Sequence, residues 1–465
     1  MDNTAEDMKP NDPTPIAVRQ YLSRQGVETR LITRKDARHP VVECVLLADS
    51  LGKVALLLPA DRMLDLAALR QQTGRQLAAA PLAERQQLLR KHGLQELPAL
   101  DGLCGVEALA DQHLPTTGEV CIQSGLRGQL LQLPASALVA DAATRQVDVT
   151  VAVPEIELDY ELSLFEMDRD AIEQSVGRFT AKRIRQRLEE TLEIPPLPAT
   201  AQEIIRLRVD PSADISKLSA LVERDPSLAA QVISWASSSY YAAPGSVKSV
   251  QDAIVRVLGY DLVMNLSLGL ALGKTLQMPE DEPQGFAPYW QEAVYTAAVV
   301  AELHSAMPRE ARPSFGLAYL TGLLSNFGYL VLAHVFKPHF STCCRLWEAN
   351  PHLDPRVVED HVLGINRDQI AASLLNSWSL PGEVCLGIRH ASHTDYYGLH
   401  SDYANLVCLS TRLLRRAGLV AGPRVPLEPA LFANLQLTPV AARAALTKVQ
   451  DGQDSLDALA RGMES

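Results

Sequence analysis

Along residues 15 to 153 the apolar positions come in short, nearly unbroken runs, while from about residue 170 onward they recur every three or four positions. The first grammar is that of strands mixed with helices, the second of helix after helix. "VVECVLLAD" and "GKVALLLPAD", parted at Ser-Leu-Gly, predict a hairpin, and "EVCIQSGLRGQLLQLP" predicts a second strand pair around Gly125 and Gly128. "DLAALRQQTG" and "LAERQQLLRKHG" have helical spacing and each stops at a glycine. In the second half, Asp225-Pro226 places a side-chain acceptor at an N-cap and proline at the first helical position, with Leu228, Val232 and Trp235 on the apolar face that follows. Ser249 and Asp252 form a capping-box pattern ahead of Ala253, Ile254, Val257 and Leu258, and Gly259 is the stop. The stretch "GLLSNFGYLVLAHVF", residues 322–336, reads as one apolar helix carrying a serine and an asparagine.

These patterns predict a multidomain α+β chain. Residues 1–14 form a polar, acidic, proline-marked lead-in, disordered and unlike a secretory signal. A mixed α/β domain follows over 15–153, a connector over 154–187, an all-α domain with a helical extension over 188–440, and a tail helix over 441–465. Because the pattern changes type between them, the two domains are expected to fold independently, although Ile156, Leu158, Leu162, Leu164 and Phe165 could dock the connector on either one.

Composition narrows the classes. A chain of 465 residues with 47% hydrophobic and 21% charged residues can bury more than one core. Its formal charge of −12 repels nucleic acid and anionic lipid unless a local basic patch intervenes. The densest basic run, "RFTAKRIRQRLEE" with Arg178, Lys182, Arg183, Arg185 and Arg187, reads as a solvated helix or connector. Seven cysteines without a C-x-x-C pair suggest free packing thiols in a reducing cytoplasm. The most apolar window, residues 262–273, is too short to span a bilayer and is interrupted by Asn265 and Ser267, so it predicts a buried helix and no membrane segment.

"IPPLPATAQEIIRL", "LSALVERDPSLAAQVISWASSSYY", "SVQDAIVRVLG" and "GLLSNFGYLVLAHV" resemble, in order, the signature stretches of the HDOD domain over residues 188–395. That family is an all-α relative of the HD metal phosphohydrolases and implies a binding and signalling module. The places of the HD metal ligands are held by Glu292, Ser325, Asn326, Arg367 and Thr411, and hydroxyls and amides donate too weakly to hold a catalytic divalent metal. His390 keeps an imidazole, and it lies close in sequence to His393 and Asp395. One surviving ligand is not a site.

Residues 15–153 resemble the YbaK-like aminoacyl-tRNA deacylases through the opening helix, the strand pair and the closing "GEVCIQSGLRGQLLQLPASAL". The resemblance implies a lysine on the first strand of the pair and a glycine-rich loop near a proline. Here the lysine place is Glu43, and the loop "GLQELPALDGLCG" keeps Pro98 and Gly102. An acid in place of an ammonium reverses the local charge beside a tRNA terminus. The expected function is a non-catalytic, cytoplasmic bacterial signalling protein without metal or cofactor, which engages a protein partner or a small ligand and not tRNA. The ligand-contact candidates are Glu43, Asp111, Ser325, Asn326, Arg367 and His390. The alternatives are a trans-editing deacylase regulated by the HDOD domain and a divergent metal-dependent phosphohydrolase.

Overall fold

The structure is a computed structural model, and it describes residues 13–153, 164–184, 196–241, 245–276 and 279–464. Expectations on residues 1–12, on the start of the connector at 154–163, and on Arg185 and Arg187 lie outside the described residues.

Ten strands build the N-terminal half: β1 (Arg30–Thr33), β2 (Val41–Asp49), β3 (Gly52–Pro59), β4 (Arg62–Leu64), β5 (Ala78–Ala79), β6 (Glu107–Asp111), β7 (Glu119–Gln123), β8 (Gln129–Pro134), β9 (Arg145–Val147) and β10 (Thr150–Ala152). One mixed sheet has the order β1-β8-β7-β2-β3-β6-β9, with β5 also paired to β2, and β4 pairs with β10 in a small second sheet. The β2–β3 hairpin turns at Ser50 and Leu51 and pairs Asp49 with Gly52. Val42, Cys44 and Leu46 of β2 enter one apolar layer with Val18 and Leu22, whereas Val45 and Leu47 enter a second layer on the opposite face. Burial of both faces explains why these strands read as unbroken apolar runs, without alternation. Glu43 shares the parity of Val45 and Leu47, so it sits on the second face, where Ala349 of the helical half packs.

The helical half follows its caps. Asp225 accepts from Ser227 and Leu228 N–H groups, and Ser249 from Asp252 N–H. Gly259, at φ 79°, stops the turn that runs over Ile254–Leu258. The Tyr260–Gly273 helix is buried along nearly its whole length. The central Tyr289–Ala306 helix packs against Phe315–Leu323, Ser401–Ala417, Pro439–Asp451 and Gln453–Glu464.

Three expectations change. The stretch 322–336 is two helices, Phe315–Leu323 and Phe327–Val335, parted at Leu324–Asn326 because Ser325 N–H bonds back to the Gly322 carbonyl in a tight final turn. The whole span Phe315–Val335 is long and apolar enough to cross a membrane, yet 89% of its most apolar window is buried inside the protein. The tail is likewise two helices, the first beginning at Pro439, and Ala442, Val449, Leu456 and Leu459 of these helices belong to the main core.

The connector region holds the Leu164–Ile184 helix, which is integral to the helical half. Asp168, 3% exposed, accepts from Arg389 Nε at 2.6 Å, and Ser175 Oγ donates to the Leu363 carbonyl at 2.7 Å. The two halves are also joined. Asn350 pairs with the backbone of Leu64, accepting at 2.7 Å and donating at 3.2 Å, and Met63 of β4 is counted in the helical core. A strand edge with free backbone groups needed a partner, and a buried asparagine supplied it. All seven cysteines are buried and unpaired.

Candidate functional site

Three of the five residues expected at HD-ligand places meet. Glu292 lies in the first turn of the Tyr289–Ala306 helix, Asn326 precedes the Phe327–Val335 helix, and Arg367 opens the Arg367–Ser377 helix behind the Asn366–Gln369 capping box. Asn326 Nδ2 donates to Glu292 at 3.2 Å, and its Oδ1 accepts from Arg367 Nη1 at 2.9 Å. Arg367 is then closed by Glu359, which accepts from its backbone N–H at 2.8 Å and from Nε at 2.7 Å. Its guanidinium lies 5.1 Å from the Trp347 ring centre and 5.6 Å from that of Tyr329, within cation–π range. Gly328 is required here, since a Cβ would collide with the Arg367 carbonyl.

Charge holds the knot together. Burial opposes the Arg367 cation, but Glu359 more than offsets it and leaves Arg367 above its ordinary range. Burial raises Glu292 and Glu359, and Arg367 pulls each back toward ionisation. Next to this knot, Arg356 bonds Asp368 at 2.5 Å and Asp354 at 3.2 Å, and Arg415 reaches Asp354 at 2.7 Å. Despite burial, Arg415 and Arg356 hold Asp354 well below the usual carboxylate range. Thr411 lines an adjoining cavity of about 330 Å³ with Asp354, Arg356, His393 and Arg415.

A catalytic divalent metal does not fit this set. Arg367 has donors only and stays charged, so it can neither ligate a cation nor yield its place to one cheaply. Ser325 is spent on its own helix, its hydroxyl donating to the Gly322 carbonyl at 2.8 Å. His390 is buried and stacked on Tyr396 with ring centres 3.8 Å apart, and burial, with Arg389 and His393, pushes it down to about 3.

Among the described residues, Asp111, His113 and Asp148 form the group of potential ligand atoms lying within 4.8 Å of one another. The Asp111 carboxylate accepts from His113 N–H at 2.9 Å, Val149 N–H at 3.1 Å and Thr150 Oγ1 at 3.0 Å. It clamps β6 to β10. Glu43 accepts from Gln123 at 3.1 Å and is paired with Arg34 at 3.1 Å, so the reversed charge expected at the lysine place is offset by a neighbouring guanidinium. Glu43, Arg34 and Gln123 line a cavity of about 350 Å³ that Trp347, Asn350 and His352 of the helical half close from the other side.

Glu359 and Arg356 escaped the sequence reading. A signal existed for Glu359: it occupies a core position of the Pro355–Leu363 helix beside Val358 and Leu363, where a carboxylate must find a cation.

The helical body that holds this guanidinium knot matches the HDOD domain over residues 194–394. The chain belongs to the HDOD-domain proteins. It is similar to a solved protein of Marinobacter aquaeolei VT8, provisionally named for signal transduction, with 43% identity and a TM-score of 0.85 over 97% of this chain and 100% of that one. A relative from Treponema pallidum (strain Nichols), named only as uncharacterized, is 25% identical over 234 residues, 50% of this chain. The chain spans 44% of that relative's length. A Shewanella amazonensis SB2B protein, provisionally named a phosphohydrolase, is 18% identical over 63% of this chain and 98% of its own, with a TM-score of 0.47.

Proposed function

We propose that this chain is a non-catalytic regulatory protein of bacterial signal transduction. In this reading the HDOD half is a rigid binding scaffold, and the N-terminal half is a YbaK-like domain that has given up ester hydrolysis and contributes a ligand-contacting surface. The observation that carries the reading is Arg367, 5% exposed and bonded to Glu359 and Asn326 where a phosphohydrolase needs metal ligands. The signal-transduction name of the 43%-identical relative supports the same reading. Glu43, held by Arg34 and Gln123, leaves no ammonium at the place of the deacylase lysine.

The test is reconstitution of the full chain with manganese or ferrous iron, followed by elemental analysis and assays on cyclic dinucleotides and mischarged tRNA. No stoichiometric metal, no phosphodiester cleavage and ester loss at the spontaneous rate are expected. Bound metal together with phosphodiesterase turnover overturns the reading in favour of a phosphohydrolase. Accelerated ester loss that disappears in Glu43→Ala overturns it in favour of a trans-editing enzyme.

A further inference from the structure

The chain is acidic as a whole, yet one cleft is the reverse. Where the N-terminal sheet meets the end of the Ser401–Ala417 helix, a cavity of about 660 Å³ is lined by Arg34, Lys35, Arg127, Arg416 and Arg424 against the single carboxylate of Glu96. The cations come from both halves. Arg34 and Lys35 follow β1 and Arg127 lies in the β7–β8 turn, while Arg416 and Arg424 belong to the helical half. A Cβ on Gly418, the C-cap at φ 76°, would stand 3.5 Å from Arg424 Nη2 and 3.7 Å from Arg127 Nη1, so two guanidiniums from different halves converge on one backbone point.

The local counter-charges do not balance the group. Arg424 is paired with Glu96 at 2.6 Å, and Arg34 with Glu43 at 3.1 Å. Lys35, Arg127 and Arg416 are exposed, and no carboxylate among the described residues lies in salt-bridge range of them. The helix C-terminus at Gly418 contributes roughly half a negative charge, which leaves a clear cationic excess. Burial, which the Glu96 charge only partly offsets, and the like charges of Arg127, Arg416 and Arg34 hold Arg424 below its ordinary range. A dianion placed among these side chains would relieve that repulsion.

We infer that this interdomain cleft binds a phosphorylated small molecule of nucleotide size, its phosphates held by the guanidinium forks of Arg34, Arg127, Arg416 and Arg424. Planar guanidinium donors match phosphate oxygens two at a time. The volume lies within the usual range of small-molecule sites. Beyond the cations the lining turns apolar at Leu130, Leu427 and Phe432, which suits a base or another flat group attached to the phosphate. Because both halves supply contacts, such a ligand tightens their docking. The cleft is distinct from the Arg367 knot and does not depend on whether the chain has a catalytic activity.

The experiment is isothermal titration of the full-length chain with inorganic pyrophosphate and ATP at low salt, with adenosine as the phosphate-free control. One ATP per chain is expected, with affinity falling as salt rises and no heat from adenosine. Arg127→Gln and Arg416→Gln, both at exposed positions, are each expected to weaken ATP binding by roughly tenfold while leaving the melting temperature of the free protein unchanged. Absence of binding by both pyrophosphate and ATP at millimolar concentration overturns the inference, as does binding that both variants leave unchanged. Tighter binding of a single-stranded RNA than of ATP through the same arginines also overturns it, because the cleft would then be a nucleic-acid groove.

Discussion

Two regions of this protein are rich in arginine, and they use it in opposite ways. In the helical interior four guanidiniums are each matched to a carboxylate: Arg367 to Glu359 at 2.5 Å, Arg356 to Asp368 at 2.5 Å, Arg389 to Asp168 at 2.6 Å and Arg415 to Asp354 at 2.7 Å. In the interdomain cleft five cations face one carboxylate. Buried charge must be closed by its own chain, because leaving one ion unpaired in a low dielectric is prohibitive. Half-exposed charge can remain open, since water screens it until a counter-ion arrives. The first arrangement therefore fixes a structure, and the second is suited to meeting something from outside.

The strongest way to break this comparison is to strand one ion of the interior. Glu359→Ala leaves Arg367 buried without its main partner and is expected to cost about 3–5 kcal/mol in urea unfolding. The double replacement Glu359→Leu with Arg367→Met, which removes both charges, should recover most of that loss. If Glu359→Ala is nearly silent, the knot is not the closed network described. Metal content after manganese reconstitution, measured on the double variant, should stay at zero because no ligand has been restored.

A smaller effect sits at the rim of the same network. Burial, reinforced by the charges of Glu359 and Asp368 and only partly opposed by the bond from Asn366, pushes Asp360 up to about 7. A carboxyl whose folded pKa lies above its unfolded value of about 3.9 holds a proton more tightly when folded, so its contribution is complete below about 3.9 and lost as pH rises to about 7. Stability should therefore fall across that window by about 1–2 kcal/mol from this group, after allowance for solvent screening. Asp360→Asn should flatten the profile, and denaturation midpoints at a series of pH values check it. An unchanged slope in the variant would show that Asp360 titrates normally.

The smallest expected effect belongs to the cleft. Glu96→Gln removes the one carboxylate that lines it among the described residues and breaks the partly buried pair with Arg424, which should change stability by about 1 kcal/mol. Pyrophosphate should nevertheless bind several-fold more tightly at low salt, with the gain vanishing at high salt. Calorimetry and melting curves on the one variant read both quantities. A large stability loss without tighter binding would move the cleft into the same class as the interior.

Much of the fold was legible because local grammar and tertiary structure agreed. The β2–β3 hairpin, the Asp225 and Ser249 caps and the Gly259 stop all form where their residues specify them. The turn at Leu324–Asn326 was not legible, because the continuous apolar run hides a break made by one backbone bond. Among the candidate residues, Asn326 and Arg367 bond directly, with Glu292 on the other side of Asn326, whereas Ser325 and His390 turn to local partners. Adjacency in sequence did not say which way each would face. Asp111 is a strand clamp: its bond from His113 N–H is local, but those from Val149 N–H and Thr150 Oγ1 arise only when the chain at the start of β10 folds back onto the end of β6.

What the sequence determined by itself was the period of its apolar residues and its caps and stops, since each of these is a property of residue type and local spacing. What only the tertiary structure decided was where the charges went. Glu359 reaches Arg367 from a neighbouring helix, and Arg127 and Arg424, nearly three hundred residues apart, converge on Gly418. Such pairings depend on the distances that packing imposes between segments, and Coulomb energies follow those distances, not separation along the chain.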